Sequence, residues 1–225
     1  MEVKRPRTKA EQSATTRRVL LRVARRLFTE RGYAETATED IVRGAGMTKG
    51  ALYHNFQGKE DLFRAVFEEV EGEMAEKVAT AATAEVDPWK RFCRGCEAHL
   101  DACLDPAVRR VVMLDGPAVL GWETWRDMDG RYGWRLVRLG LEAAMRAGHV
   151  DPEPAEPLAH LLLGALNEAA MVIAHAEHPE AARREVGATV SRLLTRLRSK
   201  KQRRVLSAVS TKGASSRQRR VAAPT

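Results

Sequence analysis

No uninterrupted apolar run in this chain approaches the ~18 residues that a membrane span needs, so no membrane partner is expected. The N-terminal MEVKRPRTKA is basic but has no apolar stretch behind it, and so does not read as a secretory signal. Cysteine is scarce and odd in number, at three, which excludes a disulfide framework and favours a reducing, cytoplasmic setting. Runs of alternating β-branched residues are missing, which argues against a sheet. There is no GxSxG, P-loop, dinucleotide fingerprint or HExxH, so the chain is not expected to be an enzyme. No cofactor is expected. No second Cys/His pair completes a metal site, so no metal is expected either.

Charge is present but unevenly placed. Residues 1–60 hold 13 Lys/Arg against 7 Asp/Glu, residues 61–199 hold 17 against 23, and residues 200–225 hold 8 against none. A basic head on an acidic body suits nucleic-acid binding by the head and a separate task for the body. The terminal stretches 1–12 and 200–225 read as basic disordered tails by composition.

What remains is patterned almost wholly for helix. The first segment, roughly 13–31, sets Leu20, Val23, Ala24, Leu27 and Phe28 on one stripe and ends at Gly32. Short helices are expected near 38–45 and 49–55, and a long one over 59–82. Asp87-Pro88 opens another, running to about 104. A short helix is bracketed by Asp105-Pro106 and Gly116-Pro117, and a long one over 122–147 is weakened by Gly130 and Gly133. Two more follow near 155–177 and 179–198. The expected fold is all-α, with about nine helices. It comprises a three-helix N-terminal domain at 13–58 and a helical ligand-binding and dimerisation domain at 59–199.

Residues 36–56, TATEDIVRGAGMTKGALYHNF, carry the functional signal. Ile41, Val42 and Ala45 give one short helix an apolar face, Gly46 permits a tight turn, and Thr48 is a good N-cap for the next helix. Ala51, Leu52 and Phe56 pack the second helix back, leaving Lys49, Gly50, Tyr53 and His54 outward. Two short helices joined this way form a helix-turn-helix (37–56), whose second helix enters the DNA major groove. Thr48 and the first amides of that helix suit a phosphate. Lys49 can reach phosphate or a guanine edge, and Gly50 lets backbone approach DNA; these two are expected to face bases. Tyr53 and His54 can donate to phosphates, and Lys59 is placed to clamp a further one.

The run Ala45-Gly46-Met47-Thr48-Lys49-Gly50-Ala51-Leu52-Tyr53-His54-Asn55-Phe56, followed by Lys59-Glu60-Asp61-Leu62, resembles the signature of the TetR family of transcription regulators. Arg25-Arg26-Leu27-Phe28 and Gly32-Tyr33 resemble the family's first helix, so the likeness is specific over about 13–66. Residues 114–175 are more weakly similar to members with an actinobacterial-type C-terminal domain. Two positions depart from the pattern. Val42 replaces the usual alanine, and Ala37 stands where the family has a phosphate-touching Ser or Thr. Thr36 and Glu39 have capping-box spacing and Thr38 is adjacent, so either threonine is a candidate for that contact. The resemblance implies a homodimer that binds an inverted-repeat operator in double-stranded DNA and responds to a small-molecule effector.

The body offers candidates for the effector site. All four tryptophans lie between 89 and 134, and Trp89, Phe92, Cys93, Cys96, Leu100 and Cys103 form one stripe. Aromatic, sulfur-bearing helices can line an adaptable apolar pocket or simply fill a core. Phe92, Cys96, His99, Trp122, Trp125, Asn167, Glu168 and Met171 are the candidate ligand residues. The last two helices, about 155–198, carry small residues on one and a Val186, Val190, Leu193, Leu194, Leu197 stripe on the other; both suit a dimer bundle. The leading function is a repressor released from a palindromic operator by a small, largely apolar molecule. The alternatives are a non-specific architectural DNA binder using its basic tail, or a redox-sensing regulator acting through Cys93 and Cys96.

Overall fold

Leu20, Ala24, Leu27 and Phe28 recur at helical spacing, and all four are buried on one face of α1 (Lys9–Arg31). The computed structural model describes residues 9–202. Helix α1 ends at Gly32, whose φ of +83° only glycine adopts readily. Helices α2 (Thr38–Gly44) and α3 (Lys49–Asn55) pack across α1 and on each other. Helix α4 (Lys59–Thr83) leads from this head into the body. Asp87 caps α5 (Pro88–Ala102), its side chain accepting from the Lys90 amide at 2.8 Å. A π-helical segment (Val108–Asp115) runs directly into α6 (Gly116–Leu120), and then come α7 (Trp122–Arg146), α8 (Ala155–His175) and α9 (Pro179–Leu197). Among the described residues there is no strand, only an isolated bridge between Val150 and Arg198.

The architecture is the all-α, two-part plan read from the sequence. Three details differ. Helix α1 starts at Lys9 rather than near residue 13, and residues 200–202 are helical; the remainder of both expected tails lies outside the described residues. The short helix expected between the two proline pairs is a π segment continued by α6. Trp125 reaches across it, its Nε1–H donating to the Val112 carbonyl at 2.9 Å. Widened turns of this kind recur at functional sites. Finally, Gly130 and Gly133 do not interrupt α7. A Cβ at Gly133 would lie 3.0 Å from the Leu163 side chain, so the missing side chain there allows α8 to approach.

Two buried clusters hold the molecule. The larger begins in the head with Leu20, Phe28, Ile41, Leu52 and Phe56, continues through Leu62, Phe63, Val66, Phe67, Val70 and Met74 of α4, and ends on the π segment, α7 and α8. The smaller joins α5, α7, α8 and α9 around Trp89, Phe92, Cys96, Leu141, Leu162 and Leu194. Apolar packing therefore crosses the head–body junction without a break. Helix α8 is long and apolar enough by composition to cross a membrane, which the sequence reading did not anticipate. In this fold it packs on α5, α7, α9 and the π segment, and Glu156, His160, Asn167 and Glu168 interrupt its apolar run.

Candidate nucleic-acid interface and effector cleft

The turn between α2 and α3 is built as its residues dictate. Gly46 takes φ +64°, and the Met47 amide donates to the Val42 carbonyl at 2.8 Å. Thr48 caps α3, its Oγ1 accepting from the Ala51 amide at 3.2 Å. Ile41, Val42, Leu52 and Phe56 are buried, and this fixes which face of α3 points outward. Thr48, Lys49, Gly50, Tyr53 and His54 are all exposed there. A Cβ at Gly50 would meet only Thr48 Oγ1, at 3.8 Å, so this stretch of backbone is open to an incoming surface.

Two residues that sequence reasoning missed seat α3 on α1. Arg17 lies 4.3 Å from the Phe56 ring centroid and donates to the Asn55 carbonyl at 3.2 Å, and Ser13 donates to Asn55 Oδ1 at 3.0 Å. Helix α1 is thus a clamp on the recognition helix as well as its floor. A third missed partner is Glu39, which forms an ion pair with Lys49 and so occupies the cation expected to face bases. The pair holds the Glu39 carboxyl below and the Lys49 ammonium above their ordinary ranges. Because Glu39 is turned to Lys49, the capping box with Thr36 does not form. Helix α2 starts after Ala37 with no side-chain cap.

Thr36 is corrected outright. It is fully buried, and its hydroxyl is engaged with the Gly32 carbonyl at 2.7 Å and the Leu27 carbonyl at 3.3 Å, so it cannot meet a phosphate. Thr38, half-buried at the start of α2, is the threonine left for that contact. Lys59 is only half presented. Its ammonium lies 4.1 Å from the Tyr33 ring centroid, and desolvation lowers its pKa.

Head and body are joined by polar contacts as well as by the core. Arg25 of α1 grips Glu73 of α4 with two bonds of 2.6 Å and reaches Glu69 at 3.0 Å. The Tyr33 amide donates to Asp115 Oδ2 at 2.7 Å, and Arg110 Nε reaches the same oxygen at 3.3 Å. The Arg110 guanidinium lies over Gly32, where a Cβ would come within 1.9 Å of it. The end of the π segment is thereby fastened to the end of α1.

A cleft of about 460 Å³ lies between α7 and α8. Five of the eight candidate ligand residues line it: Trp122, Trp125, Asn167, Glu168 and Met171. Phe92, Cys96 and His99 do not, because the inner face of α5 is packed as core. Phe92 presses on Gly140, where a Cβ would be 2.6 Å away, and Cys96 is buried in the smaller cluster. His99 is half-buried, its Nε2 is enclosed without a partner, and burial pushes its pKa down to about 4. The sequence reading missed Asp129 and, behind the wall, Glu71; both are buried acids. It also passed over Trp134 and His160, which stack with centroids 5.5 Å apart at the cleft edge. A buried acid leaves no signature in a helical pattern until its neighbours are known.

The redox reading is not supported. Burial pushes the Cys93 thiol up to about 11 and the Cys103 thiol up to about 12, and raises Cys96 further. The thiolate is the reactive form, and it is suppressed at all three.

An exposed, capped recognition helix on a three-helix head, joined by shared core to a helical body with an internal cleft, defines a helix-turn-helix regulator. Residues 20–66 match the profile of bacterial regulatory proteins of the TetR family, and residues 89–197 match that of the tetracyclin repressor-like C-terminal domain. The crystal structure of a TetR-family transcriptional regulator from Pectobacterium atrosepticum is 36% identical, with a TM-score of 0.78 over 86% of this chain and 99% of that one. The Tn10 TetC protein of Escherichia coli is 25% identical over 68% of this chain and 78% of its own length. The transcriptional repressor AcnR of Corynebacterium efficiens is 34% identical over 64% of this chain and 56% of its own. Other curated matches are shorter, as with the regulator AcrR of Shigella flexneri, which is 38% identical over 29% of this chain and 31% of its own length. The chain belongs to the TetR family of transcriptional regulators, which are non-enzymatic DNA-binding proteins.

Proposed function

We propose that the protein is a ligand-responsive repressor that works as a homodimer in the cytoplasm of a bacterial cell. Residues 13–58 read DNA and residues 59–199 hold the effector and the dimer contact. The observation that carries this reading is the single exposed face of α3, with Thr48, Lys49, Gly50, Tyr53 and His54 together above a buried Leu52. The second copy docks through α8 and α9. Leu161, Val172 and Leu193 are 72%, 46% and 44% exposed on these helices, and Val186, Val190 and Leu193 line an open groove of about 400 Å³ between them. Two recognition helices about 34 Å apart then fit successive major grooves of an inverted repeat.

Release follows from population shift. An effector in the α7–α8 cleft acts only by binding the DNA-incompetent state more tightly, since equal affinity for both states shifts nothing. Trp125 is the natural transmitter. It lines the cleft, bonds the Val112 carbonyl of the π segment, and so reaches Asp115 and the end of α1. The test is an electrophoretic shift with inverted repeats taken from the DNA flanking its gene. Nanomolar binding to one repeat, competed by that repeat and not by scrambled DNA, supports the reading. No specific binding at low salt to any such repeat overturns it.

A further inference from the structure

Asp129 is 2% exposed yet lines the cleft, and Glu71 of α4, also 2% exposed, lies behind it. Among the described residues, Asp129 receives one hydrogen bond, from Asn167 Nδ2 at 2.5 Å, and no ion pair reaches either acid. Glu71 Oε2 and Asn167 Oδ1 are buried and have no partner at all. A buried carboxylate normally sits against a cation or several donors, because an unpaired buried charge is costly. Here Asp129 and Asn167 line one wall, Glu71 of α4 is close enough to feel the Asp129 charge, and the one side-chain donor that reaches Asp129 is the Asn167 amide. Desolvation raises both acids, Asp129 to about 6 and Glu71 well above its ordinary range, with the Asp129 charge adding to the rise of Glu71.

The rest of the wall has the opposite chemistry. Trp122 and Trp125 stand with ring centroids 5.0 Å apart, Trp122 is 57% exposed, and Leu163 and Met171 complete an apolar side. The other charged groups lining the cleft are Asp127, Glu168 and one arginine, Arg126, with His160 stacked on Trp134. The lining is therefore net acidic. Among the described residues, no three His, Cys, Asp or Glu are grouped to hold a metal ion, and the aromatic lining suits an organic cation. An indole face favours a cation held close to it, and more so when the site is desolvated.

We propose that the α7–α8 cleft takes a ligand made of a flat apolar frame and a protonated amine, with the ammonium on Asp129 and the frame against Trp122 and Trp125. This deepens the effector reading above and rests on it. It narrows a largely apolar molecule to a cationic one, whose N–H groups are the donors that the Asp129, Asn167 and Glu71 oxygens lack.

The test uses the full chain and three probes of one shape: 2-naphthylmethylammonium, 2-naphthylmethanol and 2-naphthoate. Affinities are measured by calorimetry and tryptophan quenching at pH 7.5. The ammonium is expected to bind at least about tenfold more tightly than the alcohol, with the carboxylate weakest. Asp129→Asn keeps the acceptor for Asn167 and removes the charge; it is expected to abolish the ammonium's advantage while leaving the alcohol within about twofold. Trp122→Ala, at an exposed position, is expected to weaken ammonium and alcohol together. Equal binding of ammonium and alcohol by the wild type overturns the proposal, and so does an ammonium preference that survives Asp129→Asn. Operator release is scored separately. An ammonium that binds through Asp129 but leaves the operator complex intact counts against the effector reading. A specific operator complex released by neutral or anionic compounds alone counts against the cationic proposal.

Discussion

The recognition face and the effector cleft are both polar surfaces on helices, but their charges are treated in opposite ways. On the head the two acids of α2 are exposed or half-buried and matched: Glu39 by Lys49, and Asp40 by Arg31 and Arg43. In the cleft, Asp129 and Glu71 are buried and unmatched by any cation among the described residues. The difference separates a finished surface from an unfinished one. The α3 face is complete as folded, and its Lys49 is engaged only in a surface ion pair. The cleft holds two acids that burial desolvates, and a site left destabilised for function is where stability is commonly given up.

The largest effect is expected where the two regions share a core. Leu52→Ala removes the buried anchor of α3 and should cost about 2–5 kcal/mol. The packing runs unbroken from Leu52 through α4 to Ile173 of α8, so the loss should lower one cooperative calorimetric transition of the whole protein. Two separated transitions, with the body's unmoved, would show that the head melts alone and that the regions are less joined than their packing implies.

The next effect concerns the buried acids. Asp129 is raised from 3.8 to about 6, so the stability it contributes is full below about pH 4 and is lost as pH rises through 6. His99 is lowered from 6.5 to about 4, so its stability is full above about 6.5 and is lost as pH falls toward 4. Between pH 4 and 6 the two contributions oppose each other. Glu71, also raised, acts in the same direction as Asp129. Asp129→Asn should therefore melt higher than wild type at pH 8, with the difference closing toward pH 4. A variant that melts lower at pH 8 would mean that the ionised carboxylate is stabilised by a partner the fold conceals.

The same contrast explains what could be read from the chain beforehand. The head is local chemistry: Gly46 for the turn, Thr48 for the cap, Leu52 and Phe56 inward, all within twelve consecutive positions. Where reading failed in the head, the competing partner lay four to ten positions earlier in the chain. Thr36 is taken by the carbonyls of Leu27 and Gly32, and Lys49 by Glu39 of the preceding helix. In the body the aromatic stripe of α5 had two readings, pocket and core, and only the packing of Phe92 on Gly140 decides for core. The cleft forms between helices whose lining residues are far apart in sequence, as with Asp129 and Asn167, so periodicity alone could not assemble it.

On the recognition face itself, Tyr53→Ala should weaken operator binding by roughly tenfold while leaving thermal stability unchanged, because Tyr53 is 57% exposed and supports no core. If it contacts a phosphate, the loss is similar for operator and non-operator DNA. A loss confined to one operator base pair would assign it to reading sequence.

The smallest effect tests whether the head is as finished as it looks. Lys49 is the cation at the start of α3, and in the free protein it is held by Glu39. Both side chains are more than half exposed, so the pair is weak and screened by salt. To face a base or a phosphate, Lys49 must leave Glu39, whose carboxylate then stands near the DNA as a like charge. Glu39→Gln frees the lysine and removes that repulsion, and it should tighten operator binding by about two- to fivefold at low salt, less at higher salt. The gain should vanish when Lys49→Ala is added. If Glu39→Gln instead weakens binding, the ion pair is holding Lys49 in its DNA-bound position, and the acid becomes part of the recognition surface.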